Sequence, residues 1–284
     1  MKKIIAFVLL FALLLGGCAW QLPGDDIGHL VVHYIDVGQA DCMLLIAGET
    51  TILIDGGNTD TAGNVVAYLQ RYGVEDLDLV VGTHPHGDHI GGLPVVLAHF
   101  PVETVWSTTK NYNSQTFDRM VQNAQKQGAQ MVVPAPGTVY EADALSVTVL
   151  GPLGKSYEDL NDTSLVLMVQ FGDKKFLFTG DMEAYAENEL VKSHTNLKAD
   201  VLKVGHHGSY SSTSLAFLEE VDPDYGVISC GRDNEYGHPH GAPMNRLKNA
   251  DVELLRTDLM GNVVVVTDGK DLGFCLEAGY ENAA

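Results

Sequence analysis

Basic residues are scarce in this chain. Its 284 residues hold 17 Lys and Arg against 37 Asp and Glu, a formal net charge of −20. Proteins that track nucleic acid along an extended groove carry a basic footprint. The deficit argues against such a groove. Cysteine is scarce too: there are four, and none sits in a CxxC pair. Cys42, Cys230 and Cys275 each lie in or beside an apolar strand-like run, as buried small hydrophobes do. Low-complexity segments and long linkers are missing altogether. Hydrophobic residues make up 45% and charged residues 19%, a globular composition rather than a disordered or collagenous one. A chain of this length buries roughly 75% of its unfolded surface, so it needs no disulfide staple.

A membrane-spanning run is also missing. The apolar stretch Ile4–Leu15 follows the positive start Met1-Lys2-Lys3 and is too short for a transmembrane helix. It ends in Leu15-Gly16-Gly17-Cys18, which resembles the lipobox of bacterial lipoproteins. The resemblance implies a signal peptide over residues 1–17 and a diacylglyceryl thioether on Cys18. A lipidated tether over 18–28 would then precede one domain over 29–284. The expected location is the extracytoplasmic face of a bacterial membrane, anchored rather than spanning.

What is present is a dense series of short elements. His29–Ile35, Met43–Ala47 and Thr51–Ile54 read as an opening antiparallel meander. Asn64–Arg71 is an amphipathic helix and Leu77–Val81 a buried strand. Helices are expected at Leu93–His99, Ser114–Gln127, Met182–Ser193, Ser214–Val221 and Pro243–Asn249. Strands are expected at Val102–Trp106, Gln130–Val133, Leu145–Leu150, Leu165–Phe171, Lys174–Thr179, Asp200–Val204 and Tyr225–Ser229. Strands at 253–256, 263–267 and 272–277 close a single α/β domain.

The chemistry concentrates in Thr83-His84-Pro85-His86-Gly87-Asp88-His89, directly after the buried strand Leu77–Val81. In extended chain, residues i and i+2 point to one side, so His84 and His86 converge on one ion. Gly87 permits a turn, after which Asp88 and His89 face a second. Three imidazoles and a carboxylate in six residues form a ligand set for zinc or a similar divalent ion.

HxHxDH after a buried strand resembles the metallo-β-lactamase superfamily. Tyr34-Ile-Asp-Val-Gly-Gln-Ala-Asp41 and Ile52-Leu-Ile-Asp-Gly-Gly57 resemble signatures of its ComEC-type branch. Asn161-Asp-Thr-Ser-Leu-Val166, Phe178-Thr-Gly-Asp181, Leu202-Lys-Val-Gly-His-His-Gly-Ser209 and Tyr236-Gly-His-Pro-His240 follow in that branch's order. The resemblance implies a four-layer αββα sandwich that binds two divalent metal ions, Zn or Mn. It places His84 and His86 on the first ion, Asp88 and His89 on the second, and Asp181 between them. One of His206 and His207 would ligate the second metal and the other touch substrate. Asp55 would orient a ligand. Many superfamily members supply a third histidine to the first metal. The segment where it is expected reads Asn161-Asp162-Thr163-Ser164, so Asn161 or Asp162 becomes a candidate oxygen donor. Oxygen donors suit Mn²⁺ better than an all-imidazole set.

The expected activity is phosphodiester hydrolysis, as a nuclease or phosphodiesterase, through a two-metal-activated water. Asp88, Asp181 and His240 are the catalytic candidates, and Ser209 and His238 the substrate-contact candidates. Hydrolysis of small phosphoesters such as phosphocholine esters, or of lactones, is the alternative. A non-enzymatic metal-binding lipoprotein is the alternative of another class. The expected partners are the phosphodiester, DNA or a smaller ester, and the membrane through the lipid; no protein partner is predicted. His29, His33, His99 and His194 read as surface or structural histidines, and Lys203 reads as facing either side.

Overall fold

A computed structural model describes residues 28–142 and 144–277. The signal-peptide reading, the Cys18 lipobox and the tether through residue 27 lie outside them. Among the described residues, no helix is long and apolar enough to cross a membrane.

The first half of the chain builds β1 (Leu30–Tyr34), β2 (Met43–Ala47), β3 (Thr50–Ile54), β4 (Leu77–Gly82), β5 (Val102–Ser107) and β6 (Gln130–Val132). Helices α1 (Ala62–Arg71), α2 (Gly87–Ile90), α3 (Leu93–His99) and α4 (Gln115–Gln127) connect them. The second half builds β7 (Val139–Ala142), β8 (Leu145–Gly151), β9 (Val166–Phe171), β10 (Lys174–Phe178), β11 (Val201–Lys203), β12 (Tyr225–Ile228) and β13 (Glu253–Arg256). Its helices are α5 (Ala184–Lys192), α6 (Leu215–Val221), α7 (Gly241–Asn249) and the short α8 (Thr257–Met260). The chain then returns as β14 (Asn262–Thr267) and β15 (Leu272–Glu277) to the first sheet. The strand orders are β15-β14-β1-β2-β3-β4-β5-β6 and β13-β12-β11-β10-β9-β8-β7.

Alternation along the strands explains why the sheets stack. Leu45, Ile52, Leu79, Val147, Leu167 and Phe176 point inward and form one core between the sheets. Tyr34 of one sheet stacks on Phe178 of the other, with centroids 6.0 Å apart. Leu44, Leu53 and Val80 point outward, where Val65, Leu69, Val96 and Met120 of the helices cover them. On the far side, Leu177 and Leu202 lie under Leu190, Phe217 and Leu247. Both faces of both sheets are thus buried, which is why the central strands read as continuous apolar runs. The result is the four-layer αββα sandwich.

Helix starts fall one residue inside the expectation where a serine caps. Ser114 and Ser214 are extended, and their side chains accept from the Phe117 and Phe217 N–H groups. Helix α5 begins two residues late because Asp181, Met182 and Glu183 stay in a loop, with Glu183 at the cap position. Strand β7 escapes the pattern because its side chains are only exposed or half-buried at a sheet edge.

His33 is one structural histidine with a physical consequence. It lies at 2% exposure on β1, with Nδ1 2.9 Å from the Tyr68 hydroxyl of α1. Burial pushes its pKa down to about 4. Between pH 4 and 6.5 the unfolded chain therefore binds a proton that the folded one refuses. This contribution is intact above pH 6.5 and is lost as pH falls towards 4, by about 3 kcal/mol. Urea unfolding of wild type and His33→Phe at pH 7 and pH 4 checks it: the acid loss should shrink by that amount in the variant. Equal acid losses would reject the assignment.

Candidate metal centre

The site sits where several parallel strands end, the usual crevice of α/β sheets. Asp55 follows β3, Thr83 to His89 follow β4, Asp181 follows β10, His206 and His207 follow β11, and Ser229 follows β12. Side chains from both sheets meet there.

Of three donor clusters among the described residues, two meet at Asp181. His84, His86 and Asp181 place one donor atom each within 4.8 Å of one another. Asp88, His89, Asp181 and His207 do the same. Asp181 belongs to both. His84 Nε2 and His86 Nδ1 face each other at 2.9 Å, as the i, i+2 spacing requires. Asp181 Oδ1 lies 3.2 Å from His89 Nε2. Its Oδ2 lies 3.8, 3.6 and 3.7 Å from Nε2 of His84, His206 and His207.

Hydrogen bonds set which nitrogens are free. Asp55 accepts the Thr83 N–H and hydroxyl at 2.8 Å each, and its Oδ2 lies 2.8 Å from His89 Nδ1. A carboxylate only accepts, so His89 carries its proton on Nδ1 and turns a lone pair outward at Nε2. His207 Nδ1 donates to the Ser229 carbonyl at 2.9 Å. Its Nε2 then faces Asp88 Oδ2 at 3.3 Å. His206 Nδ1 lies 3.1 Å from Glu183 Oε1, which also accepts from the Ser211 hydroxyl at 2.8 Å.

The donor set fits two divalent cations. His89 Nε2 and Asp181 Oδ1 are buried and make no hydrogen bond, although only 3.2 Å separates them. Such orphaned atoms are costly unless a cation completes them. Without one, the site answers with protonated imidazoles. Burial disfavours charge on His207, but the Asp181 and Asp41 carboxylates outweigh it and lift the pKa to about 10. His89 rises well above the usual histidine range for the same reason, with Asp181 and Asp55 outweighing burial. Asp181 stays well below the carboxylate range: burial opposes its charge, and His89 and His207 prevail. His84 falls well below its ordinary value through burial and the neighbouring His89.

The remaining candidates separate by position. His206 and His207 do not end a strand. They lie in the tight turn Gly205–Gly208, with left-handed φ of 48° and 52°. Two successive non-glycine residues in the left-handed region are strained, and the turn sends the two rings apart. His207 joins the second cluster, while His206 turns to Glu183 at 22% side-chain exposure. Asp162 Oδ1 accepts the Glu183 N–H at 2.9 Å, which engages it at the start of α5. Asn161 donates to Glu183 at 3.4 Å and keeps a buried Oδ1 without a hydrogen bond. Ser164 occupies the stretch that lacks a histidine: its Oγ accepts the Asp181 N–H at 3.0 Å and lies 3.4 Å from His84 Nδ1.

His238 and His240 form the rim. Gln39 Nε2 donates to His238 Nδ1 at 3.1 Å, and the Tyr210 N–H donates to His240 Nδ1 at 3.0 Å. Both rings accept at Nδ1, so as neutral imidazoles both carry the proton on Nε2. Burial and the neighbouring His207 and His206 push the His238 pKa down to about 4. His238 stacks at 6.2 Å on His207 and at 5.6 Å on Tyr236, which is 60% exposed. Ser209 is buried, with its hydroxyl 2.9 Å from that of Ser211. The sequence reading missed Glu183 and left the buried Lys203 unassigned. No local spacing marks either one.

Comparison with known proteins identifies the family. The model of the metallo-beta-lactamase superfamily matches residues 35–232. ComE operon protein 3 of Bacillus subtilis is 32% identical over 251 residues, covering 82% of this chain and 32% of that protein. Recombination protein 2 of Haemophilus influenzae is 34% identical over 243 residues, covering 82% of this chain and 28% of that protein. The chain spans about a third of the length of these relatives. The metallo-beta-lactamase fold protein YhfI of Bacillus subtilis superposes with a TM-score of 0.58 at 14% identity, covering 84% of this chain and all of that one. That last likeness concerns the fold alone.

Proposed function

The chain belongs to the metallo-beta-lactamase superfamily, and on that footing we propose that it hydrolyses phosphodiesters. The observation that carries the reading is the pair of donor clusters sharing Asp181. Two-metal hydrolases of phosphate esters need such a shared clamp. When bound, the two cations supply a water acidic enough to ionise near neutral pH and offset the charge growing on the phosphoryl oxygens.

The chain's own residues then do the rest. Asp55 and the Ser229 carbonyl hold His89 and His207 so that their Nε2 lone pairs face the site. His238 and His240, both accepting at Nδ1, offer Nε2–H donors at the rim, suited to a non-reacting phosphoryl oxygen or to protonation of a leaving alkoxide. No serine or cysteine nucleophile is required.

Substrate size follows from charge. The name of one relative, Recombination protein 2, brings nucleic acid forward as the substrate class. A net charge of −20 restricts engagement to a short segment or a small ester. The exposed Tyr210 and Tyr236 beside His240 and His238 suit a base or a quaternary ammonium group.

The test is hydrolysis of bis(p-nitrophenyl) phosphate by protein reconstituted with Zn²⁺ or Mn²⁺, alongside His86→Ala. Turnover is expected in wild type, and a loss of about 10³-fold in the variant, since one ion loses a ligand. Turnover that survives in His86→Ala would sink the proposal. Running an oligonucleotide and a phosphocholine ester at rising salt separates the substrates. Nuclease activity that vanishes with modest salt while the small ester persists favours the smaller substrate.

A further inference from the structure

A buried charge pair lies behind the second cluster, and the mechanism above does not use it. Lys203, at the end of β11, and Asp41, in the loop before β2, are both fully enclosed. Lys203 Nζ lies 2.8 Å from Asp41 Oδ2 and donates to the Val204 carbonyl at 3.2 Å. The pair therefore ties one sheet to the other. Removing two charges from water costs several kcal/mol per ion. An inter-sheet tie alone would be met as well by two hydrophobic side chains.

The rest of Asp41 shows what the pair does. Its Oδ1 lies 3.2 Å from His207 Nδ1, on the ring edge opposite the nitrogen that faces Asp88 and Asp181. Its backbone N–H donates to the Asp88 carbonyl at 3.1 Å, and its carbonyl accepts the Gly57 N–H at 2.9 Å. The carboxylate of Asp41 thus lies against the edge of the His207 ring whose Nδ1–H goes to the Ser229 carbonyl, and the backbone of residue 41 holds the loop of Asp88. Among the described residues, no hydrogen bond or ion pair joins Asp41 to His84 or His86. It is also close to Asp55, since Asp41, Asp55 and His89 gather donor atoms within 4.8 Å. Left unbalanced, these carboxylates would repel one another. Lys203 provides a resident cation that belongs to the chain.

We infer that Asp41 and Lys203 are positioning residues: a net-neutral buried pair that presets the His207 ring for the second cation, and only for that one. The inference rests on the metal-centre reading above.

The informative variant is the double substitution Asp41→Asn with Lys203→Met. It removes one charge of each sign, so the net charge behind the site is unchanged. Exchanging both partners of a buried pair is tolerated far better than removing one. The double substitution is placed in two backgrounds. His86→Ala leaves the second cluster's donors intact, and Asp88→Ala leaves the first cluster's. Zn²⁺ affinity is read by competition with a chromophoric chelator, with circular dichroism to confirm folding.

The expected result is about 10–100-fold weaker binding in the His86→Ala background, the cost of losing a partner that orients a ligand. In the Asp88→Ala background the change should stay within about threefold. Equal losses in both backgrounds, or no loss in either, would overturn the inference and leave a structural tie. Wild-type protein that takes up fewer than two Zn²⁺ would overturn the reading beneath it. Because no readout depends on turnover, the two failures are distinct.

Discussion

Substituting Asp181 by asparagine is expected to lower kcat/KM for a phosphodiester by about 10³-fold or more, with the fold intact. Asp181 contributes to both donor clusters. An asparagine keeps one oxygen but turns an NH₂ towards nitrogens that should meet a cation. Losing about 4 kcal/mol of charge stabilisation corresponds to a factor near 10³. The backbone has its own support, because the residue 181 N–H donates to Ser164 Oγ whatever the side chain. Steady-state kinetics at saturating Zn²⁺ or Mn²⁺, with bound metal counted by elemental analysis, measure the effect. Activity within tenfold of wild type, with both ions retained, would falsify the role of Asp181 as the shared ligand.

Metal removal should produce the second large effect, and in two observables. At ion concentrations about 1,000 times the dissociation constant, each bound ion stabilises the native state by about 4 kcal/mol. In a domain of this size that moves the melting temperature by about 10 °C. Chelated protein should melt lower by that amount, and adding metal back should restore it.

The chelated form should also become alkali-sensitive. With His207 raised to about 10, its protonated ring contributes stability that is complete below pH 6.5. That contribution is lost as pH rises towards 10. In the loaded protein the ring would be a neutral ligand, so the alkaline loss should vanish. Loading at pH 7 must then expel protons from His207 and from His89, which is likewise raised. Calorimetry in two buffers of different ionisation enthalpy reads that release. A melting temperature indifferent to chelator, with no proton release, would remove the binuclear assignment.

Much of this molecule is legible residue by residue. The run Leu77 to Val81 announces a strand buried on both faces, and the His84, His86, Asp88 and His89 spacing needs no tertiary information to read as a ligand set. Ser114 and Ser214 announce helix starts. Strand β7 was not legible, because an edge strand with half-exposed side chains has no apolar alternation to display.

Local pattern was thus enough for most of the strands and helices and for the four candidate ligands His84, His86, Asp88 and His89, since each depends on neighbours two to four residues away; the αββα layering came from the family resemblance and from the stacked sheets. The roles of His206 and His207 needed the folded chain. They are adjacent in sequence, and only the left-handed turn at 206–207, the Ser229 carbonyl and the Glu183 carboxylate turn the His207 Nε2 to Asp88 and the His206 Nδ1 to Glu183. Asp41 and Lys203 are 162 positions apart in the numbering and become a pair only when the two sheets stack. Spacing encodes which side chains share a face of one element. Which faces of different elements meet, and which nitrogen of a histidine is left free there, is decided by packing and by the hydrogen bonds that packing closes.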